Sequence, residues 1–113
     1  MAGLSERRAR LLDAVYRTFG EAATWSPVAG GAALTPTVIR APGEQIMSFG
    51  DSEVAVPVLI VRVRRSEVAE PQEGDTVAVT IEGGGTDTVT LISRPRLKEL
   101  GMEWLCEAKS DAA

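Results

Sequence analysis

Residues 54–63 read Val-Ala-Val-Pro-Val-Leu-Ile-Val-Arg-Val, and this stretch decides the fold. β-Branched residues dominate it, and they favour an extended strand over a helix. Apolar side chains occupy both faces of the predicted strand: Val54, Val56, Val58 and Ile60 on one face, and Ala55, Leu59, Val61 and Val63 on the other. In a chain of 113 residues, this pattern predicts either that a barrel or sandwich encloses the strand or that one face packs against another copy. Pro57 lacks a backbone donor and indicates an edge or a bulge partway along.

Shorter strands are expected on both sides of this central one. Strand-forming residues recur at 23–25, 34–41, 75–81, 88–93 and 102–108, mostly separated by Gly, Pro, Asp and Ser. Alternation predicts that Val77, Val79 and Ile81 point inward, and residues 82–85 supply glycines for a hairpin turn. About five or six strands joined by short turns predict a mainly β fold, an antiparallel β-barrel or sandwich.

One N-terminal α-helix is predicted over residues 5–19. Ser5 can cap it, and Gly20 is typical of a helix end. Apolar residues recur in it at a spacing near 3.6: Leu4, Leu11, Leu12, Val15, Tyr16 and Phe19. Arginines in the first turn oppose the helix dipole, so we expect the helix to depend on packing. Length and composition fit one domain over residues 1–113, with the β domain at 22–108.

Residues 42–53 are predicted to form a long loop. They contain several turn formers, yet Ile46, Met47 and Phe49 are large and apolar. Two interpretations stay open: the loop folds back onto the domain's own core, or it contacts a neighbouring subunit, because an exposed apolar cluster usually marks an interaction site. The candidate partner or subunit interface is Pro42, Ile46, Met47, Phe49, Asp51, Val54 and Val56.

No set of residues is suited to catalysis. The chain has no histidine, which excludes Ser-His-Asp and Cys-His arrangements and removes the commonest transition-metal ligand. Glu67, Glu70, Glu73 and Asp75 cluster at a predicted solvated turn, and their spacing does not fit an EF-hand loop. The glycine run at 83–85 precedes a β pattern, not the helix that a phosphate loop needs. We therefore expect no enzymatic activity, no metal and no cofactor.

The charge distribution bears on nucleic-acid binding. The net charge is −4, whereas a nonspecific DNA-binding protein normally has a basic excess. Arg94, Arg96 and Lys98 form a small basic turn that either contacts a phosphate or acidic partner or simply aids solubility. An OB-like barrel that binds single strands is an alternative, but such folds stack bases on exposed aromatic residues, and most of the few aromatics here are expected in the core.

Other features indicate the compartment. Cys106 is the single cysteine, so no internal disulfide forms, and its apolar surroundings predict a small buried side chain. No apolar segment follows the N-terminal arginines, as a secretory signal would require. The longest apolar run, residues 54–61, is far shorter than the ~20 residues that span a bilayer. We expect a soluble intracellular protein with no membrane contact.

Several short motifs occur in a defined order over most of the chain. They are Phe19-Gly20, Ala23-Thr24-Trp25, a strand at 37–40, Ser48-Phe49-Gly50-Asp51, the apolar strand at 57–63, Pro71-Gln72-Glu73-Gly74-Asp75-Thr76-Val77, Arg94-Pro95-Arg96 and Glu103-Trp104-Leu105-Cys106-Glu107. This order resembles the head-completion proteins of long-tailed phages and gene-transfer agents, also called head-tail joining or stopper proteins. The match is weaker at Thr86-Asp87-Thr88-Val89, where such proteins often carry a Tyr.

The resemblance implies a structural role in the neck of a virion or virus-like particle. The chain would form a ring, a hexamer, between the portal-adaptor ring and the tail terminator. DNA would pass through this ring without sequence-specific binding, and particles would be assembled in the host cytoplasm. A tail-terminator-type ring of related fold is the alternative within particle proteins. We further expect the 42–53 loop to become ordered when it docks on a neighbouring ring.

Overall fold

The computed structural model describes residues 4–81, 83–98 and 101–110, with the side chains of Ser5, Gln45 and Met47 left out. One helix precedes seven strands in this part of the chain. The elements are α1 (Leu4–Phe19), β1 (Glu21–Ser26), β2 (Thr37–Phe49), β3 (Ser52–Arg64), β4 (Thr76–Thr80), β5 (Thr86–Leu91), β6 (Arg96–Lys98) and β7 (Glu103–Ser110). The predicted N-terminal helix and its end before Gly20 are confirmed.

Six of the strands close into an antiparallel barrel. The order β3-β2-β1-β4-β5-β7 is completed by pairing of β7 with β3, from Leu59 opposite Ala108 to Arg64 opposite Glu103. The short strand β6 pairs with the beginning of β7. The predicted mainly β fold is confirmed. β6 adds one strand to the expected count, because a strand of three residues is too short to show a period of two in the sequence.

The barrel interior is filled from alternate positions of its strands. The buried cluster comprises Ala23, Trp25, Val38, Val61, Val63, Val68, Val77, Val79, Val89, Leu91, Cys106 and Ala108. Val77 and Val79 point inward as predicted, but Ile81 is exposed. The reason is that β4 ends at Thr80 and Ile81 begins the glycine turn, where its carbonyl accepts a hydrogen bond from the Gly84 N–H.

The prediction of a loop at 42–53 is wrong. Residues 37–49 and 52–64 form one long β-hairpin, paired continuously from Val38 opposite Val63 to Phe49 opposite Ser52. Gly43 suggested a turn, but it lies inside β2. A Cβ at this position would lie 2.4 Å from Cγ1 of Ile60, so the close packing of the two strands requires glycine there. Gly50, with φ of 63°, begins the actual two-residue turn. The segment is paired along its length, so docking is not needed to order it.

The helix α1 packs on the outside of the barrel, against outward-facing side chains of β3 and β7. It ends at Gly20, whose N–H donates a 2.8 Å hydrogen bond to the Tyr16 carbonyl. A Cβ on Gly20 would lie 2.3 Å from both Tyr16 O and Thr37 Cγ2, so only glycine allows the chain to turn this sharply from helix into β1. Tyr16 is the fully buried contact of the helix with the barrel.

Within the described ranges, no helix combines the length and apolar character needed to cross a membrane.

Candidate functional site

The outer part of the β2–β3 hairpin projects from the barrel as an arm, defined here as residues 43–58. Residues 59–64 of β3 lie between β2 and β7, whereas residues 52–58 pair with β2 and have no described strand on their other edge. Seven residue pairs at about 3.3 Å each make the arm roughly 23 Å long. The molecule is accordingly elongated, with extents of 54 × 36 × 29 Å. Pro57 lies in the part of β3 that has one unpaired edge. This agrees with the prediction of an edge or bulge at a residue that lacks a backbone N–H.

The arm exposes large apolar side chains to solvent. Phe49 is 58% exposed, Ile46 61% and Val54 45%. Cross-strand partners share a face of a hairpin, and Val56, opposite residue 45, lies on the same face as Phe49 and Val54, with Ile46 on the other. The arm therefore presents apolar surface on both faces.

The structure brings most of the predicted interface residues into this one feature. Asp51 is exposed in the turn at the tip, and Pro42 lies at the base, opposite Leu59. Met47 belongs to β2 by its backbone, and its side chain lies outside the described part of the chain. The arm carries three acidic residues, Glu44, Asp51 and Glu53, and no Lys or Arg. It is thus an acidic surface with an apolar centre, and its role as an interface stays a prediction.

A second apolar surface lies on the helix and was not predicted as a site. Leu4, Leu11 and Phe19 are 64%, 68% and 67% exposed. At 100° per residue these three and Val15 form one stripe along the helix, beside the side that carries Tyr16. The helical periodicity shows the stripe, but no feature of the sequence indicates that it remains uncovered.

The stripe borders a groove between the helix and the barrel. Its walls are formed by Arg8, Leu11, Leu12, Val15, Arg62 and Met102. The helix carries four arginines against two acidic residues, and one of those acids, Asp13, accepts a 2.7 Å hydrogen bond from Arg64. We define the helix face as the stripe and this groove. It is an apolar surface with a basic edge.

Polar contacts hold the helix on the barrel. The Tyr16 hydroxyl donates to Glu103 Oε2, and the guanidinium of Arg62 donates to both oxygens of the same carboxylate. Arg64 lies over the Tyr16 ring, 4.8 Å from its centroid, and also contacts Glu67. Burial first, and then the hydrogen bond to Glu103, raise the pKa of Tyr16 above its ordinary value. Nothing in the sequence of residues 102–108 indicates that Glu103 lies beneath the helix.

The carboxylates predicted at a solvated turn are not all solvated. Asp75 is buried and accepts hydrogen bonds from Trp25 Nε1 and from the N–H groups of Val28 and Gln72. For Asp75 the prediction is wrong, because its carboxylate satisfies donors of the neighbouring loops. Glu70 and Glu73 are exposed, as expected.

The predicted basic turn is partly a strand, since residues 96–98 form β6. Arg94, Arg96 and Lys98 are exposed. Arg94 borders a groove that also contains Glu70 and Glu73, and Arg96 lies 3.9 Å from Glu107. Acidic neighbours reduce the local positive field, so these residues alone give little attraction to phosphate.

Metal sites and base-stacking sites need groups of side chains that the described ranges do not bring together. No group of three or more His, Cys, Asp or Glu side chains there could hold a metal ion. Trp25 and Tyr16 are buried, and Trp104 packs against the core. Phe19 and Phe49, which are exposed, lie on the helix and on the arm tip and cannot form one base-stacking track. The two uncovered apolar surfaces, the arm and the helix face, are therefore the candidate functional sites.

Comparison with known proteins agrees with a role in particle assembly. The model of a family described as Phage Head-Tail Attachment protein matches residues 4–108, nearly the whole chain. No curated protein matches the chain.

Proposed function

The chain belongs to the phage head-tail attachment family, and we propose that it is the stopper, or head-completion, subunit of the neck. Membership of the family gives a structural role in connecting phage heads to tails, with a location at the virion neck. The finer proposal is that copies of the chain form a ring, a hexamer, between the portal-adaptor ring and the tail terminator. This ring would retain packaged DNA and later let it pass.

The observation that carries the proposal is the pair of uncovered apolar surfaces on one small domain. A cyclic assembly with head-to-tail contacts needs two different surfaces on each subunit. The arm and the helix face meet this requirement, since Phe49 on one and Leu11 on the other are both more than half exposed. Exposed apolar area of this kind usually marks an interaction site.

The charge balance supports passage of DNA without binding. The net charge is −4, and tight nonspecific binding would require neutralising many phosphates with clustered cations. Arg94, Arg96 and Lys98 are proposed as a contact turn for a phosphate or acidic partner at the neck, with the acidic neighbours of Arg94 and Arg96 weakening that contact. The assembly takes place in the host cytoplasm in this proposal, where heads and tails are completed before they join.

The proposed interface is the arm, comprising Ile46, Met47, Phe49, Asp51, Val54 and Val56, with Pro42 at its base. Its open strand edge and its exposed side chains suit a contact that forms only in the particle, since a two-stranded ribbon gains stability when it is covered. The contact is with another subunit or with a neighbouring ring.

Gene deletion followed by electron microscopy tests the proposal. The stopper role predicts DNA-filled heads that leak DNA and lack tails, beside finished free tails, and purified chain added to such an extract restores joined particles. Overlong or irregular tails would instead support the tail-terminator alternative. Normal particles in the deletion strain would overturn both.

A further inference from the structure

The arm tip and the helix face of one copy cannot meet. The helix lies over Arg62 and Arg64, which contact the Glu103 and Asp13 carboxylates. The pair Phe49–Ser52 at the tip lies eleven residue pairs beyond the pair Val38–Val63, a separation of about 36 Å at 3.3 Å per residue. Each surface therefore needs a cover that the same copy does not supply.

The two surfaces have complementary chemistry. At the arm tip the apolar Phe49 and Val54 lie next to the acidic turn residue Asp51. Glu53 pairs with Ser48 and lies on the opposite face of the hairpin. On the helix, Arg8 lies within the stripe formed by Leu11 and its neighbours and also borders the groove. An apolar contact flanked by opposite charges is favourable on both counts.

We propose that the arm tip of one copy docks on the helix face of the next copy, with Phe49 over Leu11 and Val15 and with Asp51 beside Arg8. The occupant of the helix face is thus a second copy of this chain. The inference rests on the proposed ring and names the contact that forms it. Because the two surfaces differ, the contact is heterologous, and its repetition closes a ring when the rotation per subunit fits.

Charge argues against the two symmetric alternatives. An arm-to-arm contact would bring together the acidic groups of two arms, which carry no Lys or Arg. A helix-to-helix contact would bring together the Arg8 side chains of two copies, since Arg62 on the same face is already paired with Glu103. Like charges placed together disfavour both arrangements, whereas the arm-to-helix arrangement pairs opposite charges.

Two complementary variants test the contact in solution. The arm variant carries Phe49→Ser and Val54→Ser and keeps an intact helix face; the helix variant carries Arg8→Glu and Leu11→Ser and keeps an intact arm. Isotope-labelled arm variant is titrated with unlabelled helix variant, and amide NMR shifts are recorded. Shifts are expected at Leu11, Val15 and Met102 of the labelled protein, because a single contact outside the ring is weak but detectable at millimolar concentration.

The controls separate this contact from others. Unlabelled arm variant added to labelled arm variant should cause no amide shift, since both proteins lack the apolar side chains of Phe49 and Val54. The wild-type arm should bind an Arg8→Glu helix face at least roughly tenfold more weakly, and an Asp51→Arg arm should restore binding to it. Absence of helix shifts at millimolar concentration, or shifts in the arm region when the helix variant is mixed with itself, would overturn the inference.

Failure of this contact and failure of the proposed function are distinguishable. If the helix amides do not shift but deletion still gives full, tailless heads, the stopper role stands and another surface forms the ring. If the amides shift as expected but deletion leaves normal particles, the contact stands and the stopper role falls.

Discussion

The Tyr16 hydroxyl donates a 2.7 Å hydrogen bond to Oε2 of Glu103, joining the helix α1 to the first residue of β7 across 87 positions of sequence. The Glu103 carboxylate is 1% exposed and is also paired with Arg62. These polar contacts attach the helix to the barrel by the side of the helix that carries Tyr16. They explain why the apolar stripe at Leu4, Leu11 and Phe19 is not used to hold the helix and stays available.

Loss of this attachment should destabilise the fold. Tyr16→Phe removes one hydrogen bond to a charged group and should lower the free energy of unfolding by about 1–2 kcal/mol. Glu103→Gln places an amide N–H₂ beside groups that donate and removes the charge opposite Arg62, so it should cost more, about 2–3 kcal/mol. Urea unfolding followed by circular dichroism measures both changes. The matched control, Glu73→Gln at an exposed position, should change stability by less than about 0.5 kcal/mol, and equal effects of the two Gln variants would contradict the prediction.

Asp75 stabilises the loops around the barrel in a similar way. Its two oxygens accept from Trp25 Nε1 at 2.9 Å and from the N–H groups of Val28 and Gln72 at 2.8 and 2.9 Å. An Asn side chain has one oxygen, so Asp75→Asn must turn its amide N–H₂ toward at least one N–H group. We expect a loss of about 2 kcal/mol, measured by urea unfolding with Trp fluorescence. Asp51→Asn at the exposed arm tip is the control, and an Asp75→Asn protein as stable as this control would refute the assignment.

The barrel core could be predicted from sequence because alternation is a local signal. Val77, Val79, Val89 and Leu91 follow a period of two, and each is buried. The arm could not be predicted as strand, because Gly43 and neighbouring Pro42 are turn formers by composition. Their strand conformation depends on pairing with residues 58 and 59, a non-local contact that propensity does not encode.

The candidate site was only half predictable for a related reason. Large apolar residues such as Ile46 and Phe49 in a polar segment were sufficient to predict a candidate interface at the arm. The helix face was missed because an amphipathic helix normally buries its apolar stripe. Its exposure follows from Tyr16, Arg62 and Glu103, which fix the rotation of the helix on the barrel, and no sequence period reports that long-range arrangement.

The buried thiol gives a prediction about pH. Burial, and then the negative charge of Asp75, raise the pKa of Cys106 from 9.0 to about 12. A group whose pKa is raised in the folded state contributes stability that is present below its unfolded pKa and is lost as pH rises through the folded value. Stability should therefore fall between about pH 9 and 12. The free energy of unfolding of Cys106→Ala should fall less steeply than that of wild type over the lower part of this range. The cavity left by the thiol lowers the stability of the variant at every pH.

The same burial should make Cys106 slow to react with thiol reagents. The thiolate is the reactive form, and it is both inaccessible and disfavoured in the folded protein. Modification by an aromatic disulfide reagent should therefore follow unfolding, with a rate that rises steeply through the urea transition. The Asp75→Asn protein, which is less stable, should react faster than wild type in native buffer. Rapid modification of the wild-type protein without urea would contradict the buried position.

The arm offers the test that separates function from folding. Phe49 is mostly exposed and lies beyond the barrel, so Phe49→Ser should change the free energy of unfolding by less than about 0.5 kcal/mol. It should nevertheless sharply reduce the fraction of heads that carry tails, because the lost side chain belongs to the surface that contacts the next subunit. Leu97→Ser is the matched control, an exposed apolar residue on β6 away from the arm. Electron microscopy of complemented deletion particles, together with urea unfolding of each purified variant, provides both measurements. If Phe49→Ser particles are joined as often as Leu97→Ser particles, the arm is not the attachment surface, whatever the stability of the two proteins.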